Sequence, residues 1–347
     1  MTKTKDTFFS IVIPVYNGIT HGIQKCLDSI WQQSLKTDVY EVICIDDCST
    51  DNTRTWLKEQ RIQHSNLVII ENEENVRQGG SRNMGIRAAR GKYIVLIDQD
   101  DYFHKESITQ AYNHLQKAQL EILIVDCAYQ YPGVENNELQ HNFPHKEIMT
   151  GDEQIEKNSI PYAPWKFIFL KSLIIENNLF FIEKERIEDV DWVHRLVHYA
   201  KRTQYQPILM IHYNKSSIST TMTAYRSKEI IYSSLRLAKR MNDMINTTFK
   251  DSSDTVIGYL KWLLAKECYL PIRSYFFFYD SLNNKSRNII ANIQDINIES
   301  SKLVIFAKKH SKSYAFITNI ISPLGSVCMY IYRIIKYKSS IDVKKKN

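Results

Sequence analysis

The run Phe8-Phe9-Ser10-Ile11-Val12-Ile13-Pro14, which opens onto Val15-Tyr16-Asn17, reads as a strand ending in a polar turn. Its apolar residues are nearly continuous rather than alternating, the pattern of a strand covered on both faces. Val39–Asp46, Leu67–Glu71, Tyr93–Asp98 and Glu121–Asp126 repeat that pattern. Helical stretches lie between these runs. Ile23, Leu27, Ile30 and Trp31 fall on one face at helical spacing. Ser49–Asp51 offers cap residues to a helix through Trp56 and Leu57, and Ser81–Arg90 forms a third helix closed by Gly91. This alternation predicts an α/β fold with a mostly parallel sheet, flanking helices and right-handed crossovers.

Further along, residues 131–160 read as an irregular connection rich in Asn, Glu, His and Pro, and Pro161–Phe181 is aromatic and basic. Glu188–Arg202 reads as a helix with Val193, Leu196 and Val197 on one face. After Ser219 the chain turns helical, over Lys228–Met244 and Val256–Phe278, and then runs into a basic tail. A domain boundary is expected near residue 220.

With 44% apolar and 24% charged residues, the chain has the composition of a packed globular protein, which excludes global disorder. The formal charge of +7 is concentrated at one end: residues 301–347 carry ten Lys/Arg against a single acid, Asp342. The remaining body is nearly neutral. A nucleic-acid binder needs a basic face on the folded body, so no nucleic-acid partner is expected. The six cysteines form no CxxC pair and no zinc-like Cys/His spacing. Cys44 and Cys127 lie in apolar strand runs, where a buried thiol in a reducing cytosol is the ordinary reading. Met1 to Thr7 is polar and lacks an apolar signal-peptide core, which predicts a cytoplasmic active site.

In sheets of this kind ligands sit at the carboxyl ends of the strands. Those ends carry Pro14-Val15-Tyr16-Asn17, Asp46-Asp47 and Asp98-Gln99-Asp100-Asp101. The three carboxylates of the last group repel one another, and a divalent cation relieves that repulsion. Hard oxygen ligands suit Mg²⁺ or Mn²⁺, which complete their shells with substrate phosphate. A solvated acidic turn capping the next helix would carry the same residues. Asp46-Asp47-Cys48-Ser49-Thr50-Asp51 offers a carboxylate to a base N–H or a ribose hydroxyl, or else a helix cap. Asn75-Val76-Arg77-Gln78-Gly79-Gly80-Ser81-Arg82-Asn83-Met84-Gly85 joins paired glycines, which let backbone approach a ligand or turn sharply, to two arginines suited to phosphate or a nucleobase. There is no GK[ST], and no GxGxxG follows the first strand, so the P-loop and dinucleotide fingerprints are both missing. Glu188-Asp189-Val190-Asp191 opens a helix whose positive end favours ionised carboxylates. Such a carboxylate beside an acceptor hydroxyl is a general base; elsewhere it is only a charged first turn.

Taken in order, these patches resemble the family 2 glycosyltransferases of the GT-A fold, whose sheet is Rossmann-like. The resemblance rests on Phe9-Ser10-Ile11-Val12-Ile13-Pro14-Val15-Tyr16-Asn17, Asp46-Asp47-Cys48-Ser49-Thr50-Asp51-Asn52-Thr53, Ser81-Arg82-Asn83-Met84-Gly85-Ile86, Asp98-Gln99-Asp100-Asp101 and Glu188-Asp189. Pro164-Trp165-Lys166 is similar to the segment preceding the base in bacterial members, and the match covers roughly residues 8–220. It implies a GT-A domain over residues 1–220, with nucleotide-sugar binding in 8–130 and acceptor and base functions in 131–220, followed by a helical C-terminal extension over 221–347.

The resemblance further implies inverting transfer of a sugar from a nucleotide-diphosphate donor, a UDP-sugar by family frequency, to a carbohydrate or lipid-linked glycan acceptor. Capsule and lipopolysaccharide synthesis are the settings it brings with it. Pro14, Tyr16 and Asn17 would line the nucleoside pocket, and Asp47, with Asp46, would meet uracil or ribose. Arg77 and Arg82 would meet nucleotide or phosphate, and Asp98 and Asp100 the sugar and ribose. Asp100 or Asp101 would hold Mn²⁺ or Mg²⁺ against the departing diphosphate. Asp189 looks like the general base, with Asp191 as an alternative and Glu188 beside them. One departure is Gln78-Gly79-Gly80-Ser81, where many members read Gly-x-x-x-Ala before Arg-Asn; it is conservative in size.

Two competing readings fit less well. A nucleotidyltransferase would carry a Gly-rich, Lys/Arg-containing loop after the first strand, where Pro14-Val15-Tyr16-Asn17-Gly18 stands instead. A catalytically inactive glycan-binding scaffold would not need every carboxylate intact. In the tail, Ala315–Ile335 is apolar but broken by Asn319, Pro323 and Arg333, a poor match to a span of about 20 clean residues. Followed by Lys336, Lys338 and Lys344-Lys345-Lys346, it suits an anionic membrane surface at the inner face of the plasma membrane, or else a packed helix with a disordered basic end.

Overall fold

Every residue of Phe9–Val15 is buried, and this strand, β1, lies inside the parallel half of an eight-stranded sheet. The computed structural model describes residues 7–131, 136–141, 143–158, 160–215, 228–264 and 267. β1 pairs in parallel with β2 (Tyr40–Asp46), and β2 with β3 (Leu67–Glu71). On its other side β1 pairs in parallel with β4 (Tyr93–Leu96). The sheet then becomes mixed. It adds β5 (Tyr102–Phe103), β6 (Ile122–Gln130), β7 (Phe167–Leu170) and β8 (Thr203–Asn214), in the order β3-β2-β1-β4-β7-β6-β8-β5. β7 runs antiparallel to both β4 and β6, while β6 and β8 are parallel. The carboxyl ends of β1, β2, β3, β4, β6 and β8 therefore share one edge.

The helices are α1 (Gly18–His21), α2 (Ile23–Trp31), α3 (Thr53–Gln63), α4 (Arg77–Ala88), α5 (Ser107–Ala118), α6 (Gly151–Lys157), α7 (Lys171–Glu176), α8 (Val190–Tyr199) and α9 (Lys228–Thr247). Residues 254–264 are also helical. Chain contacts divide the molecule into two units, Met1–Tyr225 with Asp243–Leu260, and Arg226–Asn242 with Lys261–Asn347. All candidate site residues lie in the first.

α4 packs directly on β1, since a Cβ on Gly85 would lie 2.3 Å from Val12 Cγ1. This helix starts at Arg77, earlier than the expected Ser81, so Gly79 and Gly80 sit inside a helix rather than in a ligand-cradling loop. Their bareness serves packing. A Cβ on Gly79 would lie 2.8 Å from Ile182 O, and one on Gly80 2.7 Å from Val76 Cβ.

β7, β8 and α6 were not anticipated. β7 is a four-residue strand enclosed between helical turns. β8 contains Pro207, and its pairing with β6 shifts register between Tyr205 and Leu209, so the proline falls where no ladder bond is needed. α6 opens on a capping box: Thr150 Oγ1 accepts from Glu153 N while Glu153 accepts from Thr150 N. Among the described residues no helix is long and apolar enough to cross a membrane. The apolar run Ala315–Ile335 and the basic tail lie outside the described residues.

Candidate active site at the carboxyl edge

At the end of β1 the chain turns through Asn17, in the left-handed region at φ 49°. Its Oδ1 accepts the backbone N–H of Thr50 at 2.8 Å, and its own N–H donates to Ser49 Oγ at 2.8 Å. Asn17 thus locks the β1 turn to the β2 turn. Pro14 is buried within β1, whereas Tyr16 is 44% exposed at the edge. Tyr16 and Gln99 exchange two hydrogen bonds, Tyr16 N–H to Gln99 Oε1 at 3.0 Å and Gln99 Nε2 to Tyr16 O at 2.8 Å. This pair ties the end of β1 to the acidic turn after β4.

The two acids after β2 have different tasks. Asp46 is fully buried and receives Arg54 Nε of α3, so it holds α3 to the sheet. Asp47 Oδ1 accepts Asn72 Nδ2 at 2.8 Å and the backbone N–H of Val76 at 2.9 Å. Val76 is the residue before α4, where the helix dipole favours a negative charge. Arg77, next in line, is half-buried with φ 62°.

Arg82 lies on α4, only 2% exposed. Its Nη2 donates to Asp98 Oδ1 at 2.8 Å and its Nη1 to Glu188 Oε1 at 2.7 Å. Burial works against its charge, but Asp98, Glu188 and Asp189 more than offset this and raise its pKa. Asn83 adds a second lock: its Nδ2 donates to Phe181 O at 2.9 Å, and its Oδ1 accepts Phe181 N–H at 2.8 Å. Ser81-Arg82-Asn83 therefore joins α4 to the segment preceding α8. Arg82 faces carboxylates, whereas the resemblance had implied nucleotide or phosphate.

The acidic turn carries Asp98, Asp100 and Asp101. Asp98 Oδ1 also accepts Gln78 Nε2 at 2.6 Å. Burial, then repulsion from Asp98, pushes the Asp100 carboxyl up to about 6. Asp101 is 1% exposed; its Oδ1 accepts Asn214 N–H at 2.9 Å, while its Oδ2 is buried with no partner. Burial, Asp100 and Asp98 hold its carboxyl well above the usual range. β5 follows at once and pairs with β8, an arrangement reinforced by His104 Nδ1 at 2.9 Å from His212 Nε2.

At the start of α8, Glu188 is buried and Asp189 half-buried. Burial and the neighbouring Asp189 raise the Glu188 carboxyl, with Arg82 pulling the other way. Burial pushes Asp189 up to about 6, again against the pull of Arg82. Asp191 is buried one turn from Arg195, with Oδ2 3.8 Å from Arg195 Nη2. The two candidate bases are thus distinct: Asp189 sits at the helix start facing the Arg82 bridge, and Asp191 lies inside the first turn.

Residues 10–177 match the family described as glycosyl transferase family 2. That match spans just under half of the chain. A poly(ribitol-phosphate) β-glucosyltransferase of Bacillus spizizenii is 40% identical over 116 residues, covering 33% of this chain and 18% of that protein. TarS of Staphylococcus aureus, a poly(ribitol-phosphate) β-N-acetylglucosaminyltransferase, is 26% identical over 178 residues, covering 51% of this chain and 30% of TarS. The chain thus spans less than a third of the length of these two relatives. In fold it is similar to the crystal structure of TarS residues 1–349 with UDP-GlcNAc: TM-score 0.66, 19% identity, 92% of each chain covered. It is also similar to the mannosyltransferase PcManGT of Pyrobaculum calidifontis, solved with GDP-Man and Mn²⁺: TM-score 0.53, 15% identity, 92% of this chain and 87% of that one.

Within the matched region, fitness for a metal turns on donor atoms. Among the described residues no three His, Cys, Asp or Glu side chains converge to hold a cation by themselves. Asp101 offers a buried oxygen without a partner, and Asp100 a half-buried carboxyl with a raised pKa. That set fits a hard cation sharing its shell with phosphate oxygens.

One further cluster went unread in the sequence. Asp126, fully buried on β6, accepts Lys166 Nζ at 2.9 Å, His141 N–H at 2.8 Å and Tyr205 Oη at 3.2 Å. Burial opposes its charge, but His141, Lys166 and the Cys127 N–H hold it down to about 2. The available signal was Lys166 in Pro164-Trp165-Lys166, a basic residue in an otherwise aromatic run with an acid required opposite.

Proposed function

We propose that this protein is an inverting glycosyltransferase that moves a sugar from a UDP-sugar to a hydroxyl of a glycan acceptor, within cell-surface polysaccharide synthesis. The observation that carries this reading is the convergence of Asp47, the Asp98–Asp101 turn and the start of α8 on one sheet edge, with Arg82 bridging Asp98 to Glu188, the residue before Asp189. Asp47, capping α4, and exposed Tyr16 offer a site for the nucleoside. Asp98 and Asp100 lie beyond it for the ribose and the sugar. Asp100 and Asp101 would hold Mn²⁺ or Mg²⁺, which when bound would stabilise the negative charge of the leaving diphosphate.

Asp189 is the base in this scheme. A carboxyl raised to about 6 is ionised at neutral pH yet basic enough to accept the acceptor's proton as its oxygen attacks the anomeric carbon. Direct attack inverts the anomeric configuration. The two relatives act on poly(ribitol-phosphate), which makes a phosphodiester-linked polyol chain the first acceptor to try. The tail beyond residue 301, with ten Lys/Arg and one acid, supports a peripheral position on an anionic leaflet.

The test is release of UDP from a panel of UDP-sugars with and without Mn²⁺, alongside thermal stabilisation by UDP. Release from one donor that requires the cation supports the reading. If no donor is turned over and UDP does not shift the melting temperature, the nucleotide assignment is wrong.

A further inference from the structure

We infer that Arg82 is a positioning residue that sets the base-bearing turn against the donor-side acids, and that Glu188 is its anchor rather than a second base. This rests on the glycosyl-transfer reading above. Arg82 is nearly inaccessible to solvent, and each of its terminal nitrogens is committed to a different carboxylate. Asp98 and Glu188 are 90 residues apart in sequence and lie on separate elements. One planar guanidinium thereby fixes the distance between the turn after β4 and the start of α8. A fork of this kind holds both partners in defined directions, which a point charge does not.

The surroundings are built around the bridge. Phe181 lies under the guanidinium at 5.4 Å and stacks on Trp192 of α8 at 3.9 Å. Asn83, the next residue, holds the backbone of Phe181 through two hydrogen bonds. Gly79, one turn earlier on α4, admits Glu188, whose Cγ would lie 3.0 Å from a Cβ placed there. Gln78 donates to the same Asp98 oxygen as Arg82. Asp189 follows Glu188 directly, so orienting Glu188 orients the backbone that carries the base.

The test uses the full chain and reads UDP release from UDP-glucose and UDP-N-acetylglucosamine with Mn²⁺. Arg82→Lys keeps the charge but reaches one carboxylate at a time. The expected result is a kcat lower by about 10²-fold with donor KM within about threefold, because misplacement rather than binding is affected. Asp98→Asn and Glu188→Gln are measured singly and together; through the shared guanidinium the double loss in kcat should fall about tenfold short of the product of the single losses. A raised KM with unchanged kcat in Arg82→Lys would make Arg82 a donor contact and overturn the inference, as would single losses that simply multiply. Should Arg82→Lys fail to fold, the carboxylate cycle still decides. Should the wild type release no UDP, the glycosyl-transfer reading falls on its own, and melting midpoints of the same four carboxylate proteins then read the bridge, additive shifts counting against it.

Discussion

Asp101 Oδ1 accepts the backbone N–H of Asn214 at 2.9 Å, which ties the acidic turn after β4 to the end of β8. The other Asp101 oxygen is buried and unpartnered. Asp101→Asn keeps an acceptor for Asn214 and removes a carboxyl disfavoured by burial and by Asp100. Its apoprotein should melt higher, by about 2–4 °C. The additional stabilisation by Mn²⁺ with UDP should shrink in the same variant. Calorimetry with and without both ligands reads the two effects separately, and undiminished stabilisation would remove Asp101 from the cation site.

Asp47 supports both fold and donor site. Asp47→Ala strips the acceptor from Asn72 Nδ2 and from the Val76 N–H. Losing it should destabilise the protein by about 1–3 kcal/mol in urea melts. Affinity for UDP should fall as well, as read by isothermal titration.

Asp189 predicts a pH dependence with opposite signs for activity and stability. Its folded pKa of about 6 lies above the ordinary carboxylate value, so kcat should rise with pH through about 6 and then level off. The same shift costs folding free energy once the group is ionised, above about pH 6, and that cost vanishes below the unfolded pKa of about 3.9. Asp189→Asn should therefore lose activity by about 10²–10⁴-fold yet melt above the wild type at neutral pH, with the gap closing as pH falls. An Asp189→Asn protein as active as the wild type would move the base to Asp191.

The Asp126–Lys166 pair predicts the reverse. Lys166→Met leaves a fully buried carboxylate without its cation and should cost about 3–5 kcal/mol. Asp126 is held down to about 2, so its contribution is complete above the ordinary carboxylate pKa and lost as pH falls through about 2. Acid titration should show that sensitivity in full in the wild type and weakened in Lys166→Met, where His141 and the Cys127 N–H still favour the carboxylate.

Much of the parallel half was legible because β1, β2, β3 and β4 are apolar runs bounded by polar turns. Leu67–Glu71 matches its strand end for end. In the mixed half Glu121–Asp126 marked the start of β6, but β5, β7 and β8 were not legible. β7 is too short to show a period, and Pro207 masks β8. The residue types of the site were readable from strand ends, but their partners were not, because long-range pairing has no local signature. Arg82 shows this best. An arginine near glycines reads as a phosphate contact until α4 is seen to bury it against Asp98 and Glu188. The glycines misled for the same reason: Gly79 and Gly80 make room for side chains and backbone of the protein itself.

Transfer itself decides whether Asp189 is the base of an inverting reaction: UDP-glucose and UDP-N-acetylglucosamine are offered with Mn²⁺ and a poly(ribitol-phosphate) acceptor, and the product's anomeric configuration is read by NMR in wild type and Asp189→Asn. The wild type should give a β-linked product from an α-linked donor, and the variant almost none. An α-linked product, or equal transfer by the variant, would contradict inversion through Asp189.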